Sequence, residues 1–372
     1  KNADRNSGNL AYIDIESGQT TILTDPSKKR VWPQILRDWP APRELLYICN
    51  EDGFNNVYRH NLDSRKSVQI TKFERDVSEA ELVEINGDEY LFVVLSNPIE
   101  NEFVLIDPAT GEFALRQTVD VNASILDKDE NRLLISCTSG TVKFRIDELT
   151  VTDGQLALKH KIGVPADLES QILHTDIERV QFPTFDNDPA TGKSRLLHAF
   201  LYKPVEPLPA DQRIVMIQSF YGGSNRWSTR TQILAEAGIY VFSPSPRGSR
   251  GFGREFAALN DRDLGGNEII DIIYAARYVS EKLGIPPDRI GVYGGSHGGY
   301  ATMRLLTFPG ETNGNKAQFD WGFGISHAGF SDIIQFYEFC NIPDWVILEA
   351  GDPATEADKL RDRSPLYHAD KM

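Results

Sequence analysis

Over roughly the first 160 residues, apolar positions fall in short runs separated by turn-forming residues. The runs Asn9 to Ile15, Thr20 to Leu23, Glu44 to Cys49, Asn56 to Leu62, Val68 to Thr71, Tyr90 to Leu95, Glu102 to Ile106 and Thr141 to Ile146 predict strands. One unit recurs among them: a strand, an acidic turn and a second strand. It stands at Tyr12 to Gln19, at Tyr58 to Arg65, at Val104 to Gly111, and more loosely at Phe144 to Asp147. Anchored on Ile15, Leu62, Ile106 and Ile146, the gaps are 47, 44 and 40 residues. A period of about 40–50 residues with about four strands each predicts β-propeller blades, and a β-sandwich with coincidental spacing is the competing arrangement. A closed ring takes about 4–8 blades. This stretch supplies between three and four, so the expectation is a partial propeller over 1–162 whose earlier blades precede Lys1.

A polar, helix-like segment, Ala166 to Asp176, predicts a connector at 163–176. From Ile177 the pattern changes to alternating strand and helix. Val180 to Phe185 and Leu196 to Lys203 predict a hairpin, and Ile214 to Phe220 a fully buried strand. Trp227 to Gly238 predicts a helix closed by its glycine, followed by the strand Ile239 to Phe242. Ile269, Ile272, Ile273, Ala276, Val279 and Leu283 form one apolar stripe at helical spacing, ended by Gly284 and the prolines 286 and 287. A further strand is expected at Trp321 to Ser326. Such alternation predicts a parallel sheet covered on both faces over 177–372.

Between that long helix and that last strand lies Arg289-Ile290-Gly291-Val292-Tyr293-Gly294-Gly295-Ser296-His297-Gly298-Gly299-Tyr300. It reads as a short apolar strand, a glycine-dense corner with one serine, and a helix. This is the layout of a nucleophile elbow, G-x-S-x-G. A bare G-x-S-x-G occurs by chance; the strand before it and the helix after it supply the context. A serine hydroxyl is a weak nucleophile and must stand clear of the sheet, where a base can take its proton. Ser296 is therefore the candidate nucleophile. The backbone N–H of His297, which follows it, is a candidate oxyanion donor. The second donor is expected from the loop Ser219-Phe220-Tyr221-Gly222-Gly223-Ser224, with the Tyr221 phenol as the candidate group.

Composition changes this picture little. Hydrophobic residues make up 40% and charged residues 25% of the 372, ordinary globular values that support a sizeable core. The net charge of −15 argues against nucleic acid or an anionic membrane as partner. No apolar run approaches the ~20 residues of a membrane-spanning helix. No signal peptide is visible, although a chain opening at Lys1 leaves room for a removed leader. Cys49, Cys137 and Cys340 are widely separated, without metal-ligand spacing, and are expected as buried free thiols. Nothing in the sequence calls for a metal or a cofactor.

Taken together, Gly294 to Tyr300, Tyr221-Gly222-Gly223, Pro246-Arg247-Gly248-Ser249-Arg250-Gly251-Phe252-Gly253, Gly351-Asp352-Pro353 and Ser364-Pro365-Leu366 resemble the prolyl oligopeptidase family of serine peptidases, in the branch of dipeptidyl and acylaminoacyl peptidases. The resemblance spans Tyr221 to Met372 and implies a β-propeller followed by an α/β-hydrolase fold. It implies hydrolysis of short peptides near a chain end, with Tyr221 matching the family's oxyanion tyrosine. Ser224 and Ser245 depart from residues common there. By the same resemblance, Phe330, Ile333 and Phe336 would wall an apolar first substrate pocket; an ordinary helix-face core is the alternative. Dipeptidyl peptidases hold the substrate amine with paired glutamates. Glu79 and Glu81 lie close in sequence, but on a stretch that reads as a loop with solvated charges. An esterase or lipase on the same fold, or a binding protein with a residual elbow, also fits the residues.

The remaining triad members follow the serine in the order acid, then histidine, in α/β-hydrolases. Only 76 residues follow Ser296, with His297, His327 and His368 among them. His297 is expected to point away from the serine hydroxyl. His327 lacks an acid placed to orient it. His368 precedes the strand on which the family's acid sits. The expectation is a hydrolase core that lacks its last strands and its own catalytic acid and base.

Overall fold

The computed structural model describes residues 8–372 apart from 26, 29, 37–40, 86, 130–131, 153–154, 166–167 and 169–174. Much of the predicted helix-like connector, 166–174, therefore lies outside the described residues. The chain divides into two compact units. One comprises 1–169 with 225–227 and 250–257, and the other 170–224, 228–249 and 258–372.

The first unit is built of antiparallel sheets. A hairpin pairs β1 (Ala11–Ile13) with β2 (Thr20–Ile22). A four-stranded sheet follows in sequential order: β3 (Gln34–Ile35), β4 (Glu44–Cys49), β5 (Asn56–Asn61) and β6 (Lys66–Gln69). The second holds β7 (Asp76–Ile85), β8 (Asp88–Ser96), β9 (Asn101–Ile106) and β10 (Phe113–Val119). The third holds β11 (Asn122–Asp129), β12 (Arg132–Thr138), β13 (Arg145–Thr152) and β14 (Gln155–Gly163). These are the up-and-down sheets of propeller blades.

Alternation along β8 shows how the sheets stack. Leu91, Val93 and Leu95 pack with Leu46, Ile48 and Val57 of the preceding sheet. Their neighbours Phe92 and Val94 pack with Ala123, Ile135 and Leu149 of the following one. Because successive side chains point to opposite faces, a sheet buried on both sides reads as an unbroken apolar run.

The recurring acidic turn is a side-chain-to-backbone motif. Asp14 accepts from the Ser17 N–H, Asn61 from those of Asp63 and Ser64, and Asp107 from those of Ala109 and Thr110. Four residues after the acceptor the backbone turns left-handed, at Gly18 (φ 69°), Arg65 (φ 55°) and Gly111 (φ 77°). The acceptors stand one residue before Ile15 and Leu62 and one residue after Ile106. The loose fourth repeat is not such a turn: Asp147 lies inside β13, buried, and pairs with Arg145 and His160.

The second unit carries a six-stranded sheet in the order β15-β16-β18-β17-β19-β22. Its strands are β15 (Asp176–Asn187), β16 (Ser194–Lys203), β17 (Val215–Gln218), β18 (Tyr240–Ser245), β19 (Ile290–Gly295) and β22 (Phe323–His327). A two-stranded hairpin, β20 (Glu311–Thr312) with β21 (Asn315–Lys316), stands apart. The pairs β15·β16 and β16·β18 are antiparallel and the rest parallel, so the predicted parallel sheet opens with an antiparallel hairpin. The helix Thr229–Glu236 is capped by the Ser228 side chain, and Asn267–Leu283 ends at Gly284 with φ 63°. Among the described residues no helix is long and apolar enough to cross a membrane. Cys49 and Cys137 are buried as expected, whereas Cys340 is only half-buried.

Candidate active site

β19 lies between β17 and β22, and Ser296 follows at its carboxyl end, where ligands gather in parallel α/β sheets. Helix His297–Leu306 starts directly after it. Ser296 holds φ 53° and ψ −119°, a conformation that L-residues adopt only at a cost of about 1–3 kcal/mol. Tyr221 (φ 62°) and Ala328 (φ 51°) are likewise left-handed. Packing of the surrounding chain holds this corner. The Ser296 N–H donates to the His327 carbonyl at 2.9 Å, and the Tyr300 N–H to the Ser296 carbonyl at 3.0 Å. Gly294 has no room for a side chain: a Cβ there would meet Ser219 Oγ at 2.2 Å and the Gly298 carbonyl oxygen at 2.5 Å.

Ser219 joins the elbow to the loop after β17. Its hydroxyl lies 3.1 Å from the Tyr293 carbonyl oxygen and 2.9 Å from that of Gly298, while its N–H donates to Tyr293 at 2.9 Å. The loop is held on its other side by β18. Ser243 Oγ accepts from the Gly223 N–H at 2.7 Å, and the Ser245 hydroxyl donates to the Gly223 carbonyl at 3.0 Å. Tyr221 is 72% exposed at this loop.

The His297 side chain turns into the interior at 8% exposure. Its ring stacks on Phe220 with centroids 4.2 Å apart and meets Tyr221 edge-on at 6.3 Å. Trp345, on helix Pro343–Glu349, approaches at 5.5 Å, and Tyr300 at 6.2 Å. Burial pushes the imidazole down to about 4, so it is neutral near pH 7. Phe330 stacks on Tyr300 at 4.7 Å and on Phe336 at 4.1 Å, with Trp345 edge-on to both phenylalanines. Phe330 and Phe336 are half-buried, whereas Ile333 is fully buried and belongs to the interior. His327 is exposed at the end of β22. His368 lies apart from the elbow's bonding, its Nε2 2.6 Å from the Asp362 carbonyl oxygen.

Sequence reasoning missed Ser219, Phe220 and Trp345. A serine closing an apolar strand just before a glycine loop was the available signal for Ser219, since a short hydroxyl there can bond to backbone. Trp345 carried no signal, because its partners lie far away in sequence.

In the first unit, Glu79 and Glu81 sit on the ten-residue strand β7, not on a loop. They line a cavity of about 510 Å³ with residues of β3 and β11, including Ile35, Asp127 and Lys128. Glu79 accepts from the Ile125 N–H, and burial raises its carboxyl above the usual range. Glu81 lies 3.7 Å from Lys128 Nζ. Both charges are tied into the unit and are not freely solvated.

A serine at a strained strand-to-helix corner, at the carboxyl end of a mixed sheet, defines the second unit as an α/β-hydrolase fold, beside β-propeller sheets in the first. Comparison with known proteins agrees: residues 225–372 match the prolyl oligopeptidase family, and the chain is related to that family of serine peptidases. It is 28% identical to the uncharacterized peptidase YuxL of Bacillus subtilis (strain 168), over 96% of this chain and 47% of the relative. With dipeptidyl aminopeptidase BIII of Pseudoxanthomonas mexicana it shares 31% identity, over 41% of this chain and 21% of the relative. The fold superposes on a puromycin-hydrolyzing peptidase of Mycobacterium tuberculosis with a TM-score of 0.76 at 20% identity, covering 97% of this chain and 55% of the other. The chain spans less than half the length of these two curated relatives.

Proposed function

We propose that Ser296 is the nucleophile of a serine peptidase that cleaves short peptides through an acyl-enzyme. The observation that carries this reading is the strained backbone of Ser296 at the junction of β19 and its helix. Ser296 Oγ attacks the scissile carbonyl carbon and gives its proton to a base. The carbonyl electrons move onto oxygen, where the His297 N–H and the Tyr221 phenol donate to the oxyanion. Collapse expels the amine as the protonated base gives its proton to the leaving nitrogen, and the freed base then takes a proton from the water that cleaves the ester. The exposure of Tyr221 leaves its phenol accessible to substrate, and the half-buried Phe330 and Phe336 would form an apolar wall for the residue before the cut.

Neither His297, turned into the aromatic cluster, nor His368, bonded to Asp362, fits the role of base. His327 stands beside the elbow, but among the described residues no carboxylate pairs with its ring, so residues 1–372 alone are expected to show no turnover. Hydrolysis by them that vanishes in His327→Ala would overturn that expectation. The nucleophile is tested in a form of the protein that hydrolyses peptides. Mass spectrometry after fluorophosphonate treatment should find the adduct on Ser296, and Ser296→Ala should abolish it with the fold intact. An adduct on another serine refutes the assignment. Cleavage of esters but never of amides would point to an esterase instead.

A further inference from the structure

Oxyanion stabilisation requires the donors to be fixed before charge develops, and a misplacement of about 1 Å costs on the order of 10²-fold in rate. One proposed donor, the His297 N–H, is fixed by the helix it begins. The other, the Tyr221 phenol, extends from a residue that is largely exposed and held in a left-handed backbone. The hydrogen bonds of Ser219 and Gly223 fix the backbone on either side of Tyr221, and its ring needs support of its own.

The His297 ring lies where that support is needed. It stacks nearly parallel to Phe220, at 18°, and presents itself edge-on to Tyr221, at 76°. It also meets Trp345 edge-on, at 70°, and Trp345 in turn borders Phe330 and Phe336. One imidazole thus touches the loop after β17, the helix after Ser296 and the helix that backs the aromatic wall. Its Nε2 is buried, and among the described residues it finds no hydrogen-bond partner. A ring that forgoes a hydrogen bond in the interior is retained there for its shape and stacking, since the unmade bond is itself a cost.

We propose that the His297 side chain is a positioning residue: it holds the Phe220–Tyr221 loop and the Trp345 helix in fixed register with Ser296. Its backbone N–H and its ring then act on the same oxyanion, the first directly and the second through Tyr221. This rests on the reading of Tyr221 as an oxyanion donor.

The test is a double-mutant cycle on peptide hydrolysis, in the form of the protein that turns over. His297→Ala should lower kcat by about 10–100-fold with KM changed less than about threefold. In a Tyr221→Phe background the same change should cost less than about threefold, because the group it positions is already gone. His297→Phe, which keeps a flat ring, should recover at least half of the logarithmic loss. His297→Gln, polar but without a ring, should not, and it replaces the alanine variant in the cycle if that fails to fold. Equal losses in both backgrounds, or equal losses for the Phe and Gln variants, overturn the positioning role and leave the Tyr221 assignment standing. An unchanged kcat in Tyr221→Phe alone overturns both.

Discussion

Strain at single residues has a measurable signature here. At Gly294 the neighbours that a Cβ would strike are a hydroxyl already committed to two carbonyls and the backbone of the next turn, neither of which can yield cheaply. Gly294→Ala should destabilise the second unit by about 1–3 kcal/mol or more, read from urea unfolding, and lower activity in parallel. Tyr221→Phe leaves the backbone as it is and removes one hydroxyl. If that phenol serves the oxyanion, kcat should fall roughly 10²–10³-fold with little change in KM. His297 makes a prediction in pH. Its folded value, about 4, lies below the ordinary 6.5, so the unfolded chain binds the proton first as pH falls. Stability is therefore full above about 6.5 and declines as pH falls toward 4, by roughly 3 kcal/mol in all. His297→Phe should flatten that part of the stability profile, and an unchanged slope would mean that the imidazole is solvated.

At the scale of elements, the long loop after β18 is tied down by charge. Arg247, only 4% exposed, reaches Asp271 on helix Asn267–Leu283 at 2.9 Å and Asp186 on β15 at 2.8 Å. Burial alone would lower the guanidinium, but Asp271 and Asp186 outweigh it and raise its pKa overall. Thr184 donates to Asp271, Arg195 pairs with Asp186, and the Arg247 guanidinium lies over the Phe185 ring. Removing one partner strands a buried charge, so Asp271→Ala should cost about 3–5 kcal/mol in urea unfolding. The elements themselves were legible in proportion to how cleanly they alternate. The helix at 267–283 and the strand at 290–295 stood out because one stripe or one run is buried throughout. By contrast, β7 is hidden in the sequence: Ser78, Glu79 and Glu81 break its apolar pattern because they line a polar cavity, and Glu84 is exposed. The weak alternation of β10 and of β14 has a related cause, since their burial patterns are mostly exposed. Of the site, Ser296 and the loop at 219–224 announce themselves through glycine spacing. The aromatic contacts of His297 arise from tertiary packing that no local pattern encodes.

At the scale of the molecule, the sheet of the second unit ends, among the described residues, on β22. Gly324, Ile325, Ser326 and His327 of β22 are all exposed, Ile325 at 56%. An edge strand that exposes an apolar side chain such as Ile325 is a template for pairing with another chain. Residues 1–372 should therefore self-associate as concentration rises, by sedimentation velocity, and Ile325→Lys should reduce this without changing the unfolding free energy by more than about 0.5 kcal/mol. Equal association by both proteins would place the sticky surface elsewhere.

The first unit is not a continuous piece of chain, because 225–227 and 250–257 belong to it. The Asn225 side chain accepts from the Gly140 N–H at 3.0 Å, and the Arg254 N–H donates to the Gly53 carbonyl at 2.7 Å. A ribosome delivering this chain would thus release every strand of the first unit's sheets well before the stretches that complete the unit. The Gly140 N–H lacks this partner until Asn225 has emerged, and the Gly53 carbonyl lacks its own until Arg254 has. By then the strands β15 to β18 are already available to fold. The two units are interleaved along the chain, and no single cut in it can deliver either one whole.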